Sequence, residues 1–169
     1  MLSQVPVSQV MTTDVIAFTP DENVEAAMRR LVDRGVDAGP VVDAERRVVG
    51  LLSTGDLVVE EARLHFPTIV NFLGVNITLP FDKKALDESV GKALGATVGE
   101  VMTADPFCLP PTATVEDAAT LMHDHNVSRL PVIDGDHRLV GIVARGDIVR
   151  AIISDGDRRA TGGDQGTGG

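Results

Sequence analysis

A nine-residue pattern occurs twice in this chain, as GLLSTGDLV at residues 50–58 and as GIVARGDIV at residues 141–149. The similarity extends well beyond these stretches, because residues 8–58 align without a gap to residues 99–149. Every aligned pair is separated by 91 positions, the distance from Gly50 to Gly141. A constant offset indicates a duplicated structural unit, and a unit of roughly 50 residues cannot bury its apolar faces alone. The sequence therefore predicts two similar units that pack against each other.

Both copies show the same order of predicted elements. The apolar run Val15 to Phe18 is typical of a short strand. Two β-branched runs on either side of the charged loop Asp43 to Arg47 predict a hairpin. A closing helix is expected from Gly55 in the first copy and from Gly146 in the second. With the helix described next, each copy reads β-α-β-β-α, and the predicted fold class is α/β (α+β) with two pseudo-symmetric repeats packed sheet to sheet.

The first helix of each copy is predicted from its cap and its apolar stripe. Asn23 is placed as an N-cap in the first copy, and Thr114 with Asp117 forms a capping box in the second. Apolar residues then recur at spacings of three and four, which places them on one helix face. The predicted stripes are Val24, Ala27, Met28, Leu31 and Val32 in the first copy and Val115, Ala118, Ala119 and Met122 in the second.

The duplication also divides the chain. We expect repeat 1 at residues 1–60, a partly helical insert at 61–97, repeat 2 at 98–153 and a disordered Gly/Asp-rich tail at 154–169. In the insert, Ile69 to Leu79 is apolar but interrupted, and Asp82 is placed to cap a helix with an apolar face. The insert is either a docked spacer or a subunit interface or lid, and the residues leave both interpretations open.

Charge and composition exclude several classes of function. The net charge of −10 and the lack of Trp and Tyr argue against general nucleic-acid binding. No apolar window reaches the ~18 residues that a membrane span needs, and the N-terminus lacks the pattern of a signal peptide. The single Cys108 excludes an internal disulfide and fits a reducing compartment. A cytoplasmic protein without membrane contact is therefore expected.

The repeated nonapeptide has two interpretations. It leads a strand directly into a helix and places Ser53 and Asp56 three residues apart, which is the spacing of a capping box. The same corner presents backbone N–H groups and the positive end of a helix dipole, which favour a phosphate or a sugar. A carboxylate at such an edge can accept hydrogen bonds from both hydroxyls of a ribose. The residues alone leave both interpretations open.

Taken together, these motifs resemble a tandem pair of cystathionine-β-synthase-type (CBS) domains, a Bateman module. The resemblance rests on Val-Met-Thr at 10–12 and 101–103, on the hairpin prolines Pro40 and Pro131, and on the pattern Gly-x-x-(Ser/Thr)-x-x-Asp. It implies a regulatory module that binds AMP, ADP or ATP, or less often S-adenosylmethionine, in clefts between the repeats. It also implies a homodimer that acts on an unidentified regulated protein and requires no cofactor.

The resemblance assigns roles to individual residues. Ser53 and Asp56 match the pair that holds the ribose, and residues near the hairpin proline face the base. The second copy keeps Asp147 but has Ala144 in place of the hydroxyl residue, so one ribose contact is lost. It adds Arg129 and Arg145, which are placed to meet phosphates. The complete predicted set is Ile16, Ala38, Gly39, Pro40, Ser53, Asp56, Thr103, Arg129, Pro131, Arg145 and Asp147.

Other reactive residues are expected to be structural. His123 and His125 lie two positions apart on a helix and point about 200° away from each other, so a shared metal ion is not expected. Cys108 lies in an apolar run, where a buried inert thiol is the usual case. No catalytic triad or P-loop is found, and the chain is predicted to be no enzyme. The alternatives are a dimerising scaffold without ligand and, less favoured, a nucleotide hydrolase.

Overall fold

The computed structural model describes residues 4–55, 67–72, 75–80 and 95–162. The chain divides into two compact units, which are described separately below. The central unit consists of Ile16–Asp105, and the terminal unit consists of Met1–Val15 together with Pro106–Gly169. These units do not coincide with the repeats predicted at 1–60 and 98–153, because each unit takes one short segment from the other copy.

The exchanged segments carry the Val-Met-Thr motifs. In the terminal unit, the Thr12 N–H donates to the Ile142 carbonyl at 2.9 Å, and the Ile142 N–H donates back at 3.0 Å. In the central unit, the second motif forms strand β5 (Thr103–Ala104), which pairs antiparallel with strand β2 (Val48–Ser53). The motif of each copy therefore completes the sheet built by the other copy.

A methionine-glycine contact fixes each exchanged segment in place. Gly50 and Gly141 are buried in the two sheets, and a Cβ atom on either would collide with the Sδ of a methionine, Met102 and Met11 respectively. The absence of a side chain on the strand is what makes room for the methionine. This packing accounts for the recurrence of both residue types in the two copies.

The central unit contains helices α1 (Val24–Asp33) and α2 (Val98–Val101) and the sheet β1–β2–β5, with β1 at Ala38–Val42. Asn23 caps helix α1 as predicted, because its Oδ1 accepts the Ala26 N–H at 3.1 Å. The predicted stripe forms the core, except that Val32 is 45% exposed because it lies at the edge of the stripe. The buried core is Phe18, Val24, Ala27, Met28, Leu31, Val41, Leu52 and Val98.

The terminal unit repeats this arrangement. It contains a 3₁₀ turn at Val7–Gln9, helix α3 (Val115–Asp124), the hairpin β6 (Arg129–Ile133) and β7 (Leu139–Ala144), and helix α4 (Arg145–Gly162). The capping box is confirmed: the Thr114 N–H donates to Asp117 Oδ2 at 2.8 Å, and the Asp117 N–H donates to Thr114 Oγ1 at 3.1 Å. The buried core is Val7, Leu109, Val115, Ala118, Met122, Leu130, Val132, Val143 and Ile148.

The two hairpin turns are built in the same way. Asp43 Oδ1 accepts the N–H groups of Glu45 and Arg47 at 3.0 and 2.9 Å. Asp134 Oδ1 accepts the N–H groups of Asp136 and Arg138, both at 2.9 Å. An aspartate that hydrogen-bonds the backbone two and four residues later stabilises a tight turn. Both predicted hairpins are therefore confirmed.

The predicted strand Val15 to Phe18 is reduced to one bridge. Phe18 pairs in parallel with Val41, and Leu109 pairs with Val132 at the equivalent place in the other copy. Pro20 follows two residues later, and proline offers no N–H to extend the pairing. The strand prediction is wrong in length, although the segment does lie beside the hairpin.

The insert is predicted to be partly helical, and its described part is a hairpin. Strands β3 (Pro67–Phe72) and β4 (Val75–Pro80) pair antiparallel, with Phe72 opposite Val75. β-Branched runs separated by two residues are typical of a hairpin, and this pattern outweighs the interruptions by Asn71 and Asn76. The helix predicted after Asp82 lies outside the described residues.

Residues 154–169 are predicted to be a disordered tail, but helix α4 continues to Gly162, so residues 154–162 are helical. Adding residues to a helix costs little once its first turns are anchored by packing, here through Ile148. Residues 163–169 lie outside the described part of the chain. In the part of the chain that the structure describes, no helix has both the length and the apolar character needed to cross a membrane.

Candidate functional site

The first candidate site is the corner where strand β2 of the central unit ends. Ser53 is the last residue of the strand and lies opposite Ala38 across the hairpin. Thr54 and Gly55 are helical, and the Thr54 N–H donates to the Asp37 carbonyl at 2.8 Å. Asp56 lies outside the described residues, so its predicted role beside Ser53 stays a prediction.

The residues predicted to face a base lie together beside this corner. A Cβ atom on Gly39 would lie 2.7 Å from the Ile16 carbonyl oxygen, so these two backbones are in close contact. The Pro40 carbonyl accepts the Phe18 N–H at 3.0 Å. Ala38, Gly39 and Pro40 are buried and Ile16 is partly exposed. The structure thus brings Ile16 next to Gly39. The predicted position of these residues beside a base stays a prediction.

Thr103 belongs to the central unit, although it comes from the second copy. It is exposed on β5 and pairs with Leu51, two residues before Ser53. Its counterpart in the terminal unit is Thr12, which bridges to Ile142. Sequence reasoning did not select Thr12, and the constant offset of 91 residues could have identified it.

The second candidate site is the corner between β7 and helix α4 in the terminal unit. Arg129 lies opposite Ala144 across the hairpin, and Arg145 begins the helix. The Arg145 Nη2 donates to the Val127 carbonyl at 3.2 Å, and Arg129 Nη1 donates to Ser128 Oγ at 3.1 Å. Both predicted arginines therefore lie close to the residue that replaces the usual hydroxyl.

Pro131 occupies the same position in the terminal unit as Pro40 in the central unit. It is buried, and its carbonyl accepts the Leu109 N–H at 3.0 Å. The two hairpin prolines therefore anchor equivalent segments. Their predicted position beside a bound base stays a prediction.

Asp147 is buried, with 7% of its surface exposed. Its Oδ2 accepts the Ala144 N–H at 2.7 Å, which is the backbone half of a capping box. Its Oδ1 accepts a hydrogen bond from Arg150 Nη2 and forms an ion pair with it. The carboxylate is thus held by its own helix, and its predicted contact with a ribose stays a prediction.

The two corners differ in charge. The terminal corner carries Arg129, Arg145 and Arg150, whereas the first copy has Ala38, Thr54 and Val59 at the equivalent positions. Guanidinium groups are the preferred partners of phosphate and carboxylate groups. The terminal corner is therefore suited to an anionic group.

Phe107 is a further candidate that sequence reasoning did not select. It occupies the position equivalent to Ile16, is 45% exposed and stacks on His125 with ring centroids 3.9 Å apart. The repeat offset identifies Phe107 as the counterpart of Ile16. His123 is exposed, and among the described residues no group of three or more His, Cys, Asp or Glu side chains could hold a metal ion.

Cys108 follows Phe107 and is partly buried. Burial raises the pKa of its thiol to about 11, and its Sγ donates to the Pro106 carbonyl at 3.3 Å. A protonated thiol is a weak nucleophile. This environment agrees with the expectation that Cys108 is structural.

Comparison with known proteins relates this chain to several others. It is 31% identical over 151 residues to the chloroplastic CBS domain-containing protein CBSX1 of Arabidopsis thaliana, covering 87% of this chain and 64% of that one. This chain therefore spans less than two thirds of that relative.

Two solved structures share the fold. The structure of Arabidopsis thaliana CBSX2 in complex with AMP superposes with a TM-score of 0.68 and 28% identity, covering 90% of this chain and 98% of that one. The CBS domain pair of protein MJ0100, in complex with 5'-methylthioadenosine and S-adenosyl-L-methionine, gives a TM-score of 0.65 at 21% identity and covers 88% and 99%.

The sequence signature of the CBS domain matches this chain twice, at residues 7–62 and at residues 98–154. These matches cover both copies of the duplication and leave the β3–β4 hairpin between them. They agree with the paired corners, hairpins and exchanged segments described above. The chain therefore belongs to the CBS domain family and carries a tandem pair of these domains.

Proposed function

We propose that this protein is a non-enzymatic regulatory module that binds an adenosine-containing ligand. AMP, ADP and ATP are the favoured ligands, and S-adenosylmethionine is the less favoured one. The observation that carries the proposal is the likeness to CBSX2, whose structure contains AMP and which is 28% identical over 90% of this chain. The position of that ligand between the repeats stays a prediction for this chain.

The central corner is the proposed principal site. Its support is local: Ser53, Ala38 and Gly39 adjoin one another across the hairpin, and Ile16 lies against Gly39. A hydroxyl at the end of a strand can hydrogen-bond a sugar, and buried small residues leave room for a flat base. Asp56 is proposed as the second sugar contact on the strength of the family pattern.

Calorimetric titration with AMP, ADP, ATP and S-adenosylmethionine tests this site. Wild-type protein is expected to bind at least one of the four, and Asp56→Ala is expected to weaken binding at least tenfold because a charged acceptor is lost. Asp136→Ala is the matched control, since it removes the same charge from an exposed hairpin turn. If the wild-type protein binds none of the four ligands, adenosine sensing is excluded.

Regulation would act through the packing of the domains. A ligand shifts a conformational equilibrium only as far as it binds one state better than the other, and a partner responds only if it distinguishes those states. We propose a homodimer in the cytoplasm that acts on an unidentified partner. Sedimentation velocity with and without ligand measures whether the protein is a dimer. Chromatography of the nucleotide after incubation with the protein tests whether the protein hydrolyses it.

A dimerising scaffold without ligand is the second candidate, and Asp147 favours it. In the terminal corner this carboxylate already accepts the Ala144 N–H at 2.7 Å and pairs with Arg150, so a purely structural role accounts for it. Under this candidate, Asp56→Ala lowers the melting temperature in buffer, and no nucleotide raises it in either protein. The titration above separates the two candidates.

A further inference from the structure

The two strand-to-helix corners present different groups over equivalent glycines. In the central unit, a Cβ atom built on Gly55 would have the Ser53 Oγ as its neighbour, at 3.6 Å. In the terminal unit, a Cβ atom built on Gly146 would have the Arg150 Nη1 as its neighbour, at 3.5 Å. A hydroxyl therefore lies over one corner, and a guanidinium from the next helical turn lies over the other.

Arg150 reaches this position because it folds back along its own helix. Its Nη2 donates to Asp147 Oδ1, three residues earlier, while its side chain remains 73% exposed. The other oxygen of Asp147 accepts the Ala144 N–H, and only 7% of the residue is exposed. Both oxygens of the carboxylate are thus engaged, and little of its surface is open to a further donor.

The first copy cannot form the same contact. Val59 occupies the position of Arg150, and Ser53 occupies the position of Ala144. A valine side chain has no hydrogen-bond donor, so it cannot pair with an aspartate at this spacing. The two copies therefore differ at two positions. Arg150, which pairs with Asp147, is replaced by Val59 in the first copy, and Ala144 is replaced by the hydroxyl residue Ser53.

We infer that Arg150 determines the number of adenosine ligands that one chain binds, by closing Asp147 to a sugar hydroxyl. The inference rests on the proposed function and adds to it that the terminal corner is closed. A charge-assisted guanidinium-carboxylate bond is stronger than a bond from a neutral hydroxyl. A ribose therefore has to displace Arg150, and Ala144 offers no hydroxyl in return.

The stoichiometry of AMP binding, measured by calorimetry, tests the inference. Wild-type protein is expected to bind one AMP per chain. The double variant Ala144→Ser/Arg150→Val gives these two positions the residues of the first copy, and it is expected to bind two. Arg138→Val is the matched control, because it removes an exposed arginine of the same unit that does not contact Asp147, and it is expected to bind one.

The outcomes separate this inference from the proposed function. Two AMP molecules on the wild-type chain, or one on a folded double variant, would overturn the inference and leave the proposed function standing. No binding by any of the proteins would overturn both. Circular dichroism melting of each variant establishes that it is folded, and Arg150→Val alone is the reserve variant if the double substitution unfolds the protein.

Discussion

The substitution Gly39→Ala tests how closely strand β1 packs on the segment that precedes helix α1. The added methyl group would lie 2.7 Å from the Ile16 carbonyl oxygen and 2.8 Å from Phe18 Cε2. Atoms in ordinary contact are about 3.5–4.0 Å apart. The overlap is therefore close to 1 Å on two sides of the new group.

Neither neighbour of Gly39 can move away easily. The Ile16 oxygen belongs to the backbone, and Phe18 is completely buried and hydrogen-bonded through its N–H to the Pro40 carbonyl at 3.0 Å. Overpacking at such a site costs about 1–3 kcal/mol. We expect Gly39→Ala to lower the free energy of unfolding by this amount in urea titrations followed by circular dichroism.

Gly135→Ala is the control for this experiment. Gly135 is exposed in the second hairpin turn, and nothing lies within 4 Å of a Cβ atom built on it. Its substitution is expected to change the free energy of unfolding by less than about 0.5 kcal/mol. Equal stability of the two variants would refute the packing argument and with it the close contact between Ile16 and Gly39.

Two further predictions concern ionisable groups in the terminal unit. Hydrogen bonds from the Thr114 N–H and hydroxyl lower the pKa of Asp117 from 3.8, so its contribution to stability is present above pH 3.8 and is lost as the pH falls through the lower folded value. Urea titrations between pH 6 and pH 2.5 should therefore show a steeper loss for wild type than for Asp117→Asn, and parallel curves would contradict the capping box. The thiol of Cys108, with its pKa raised to about 11 by burial, should react with iodoacetamide at pH 8 roughly a hundredfold more slowly than in urea-unfolded protein. Mass spectrometry measures both rates. Equal rates for folded and unfolded protein would show that the thiol is not protected.

Much of each domain could be predicted from local sequence. The caps at Asn23 and Thr114 and the stripe that includes Met28 and Leu31 depend on residues within one or two helical turns of each other. The hairpins depend on β-branched runs around a turn, and that rule would also have found β3 and β4. No element was assigned to residues 69–79, because the polar residues Asn71 and Asn76 interrupt the apolar run.

The candidate site was predicted less completely, because its members come from distant parts of the chain. The roles of Ile16, Gly39 and Ser53 followed from the family resemblance. Thr12 and Phe107 were missed, although the repeat offset identifies both. Arg150 was missed because its contact with Asp147 depends on a side-chain conformation that spacing alone does not determine.

By itself, the sequence determined that the chain is a duplication, that each copy builds capped helices and a hairpin, and that its family is that of the CBS domains. Only the tertiary structure decided which copy each Val-Met-Thr segment joins. Met11 and Met102 are chemically equivalent, as are Gly50 and Gly141, so local preferences cannot distinguish pairing within a copy from pairing across copies. The choice depends on long-range packing, and the structure places Met11 on Gly141 and Met102 on Gly50.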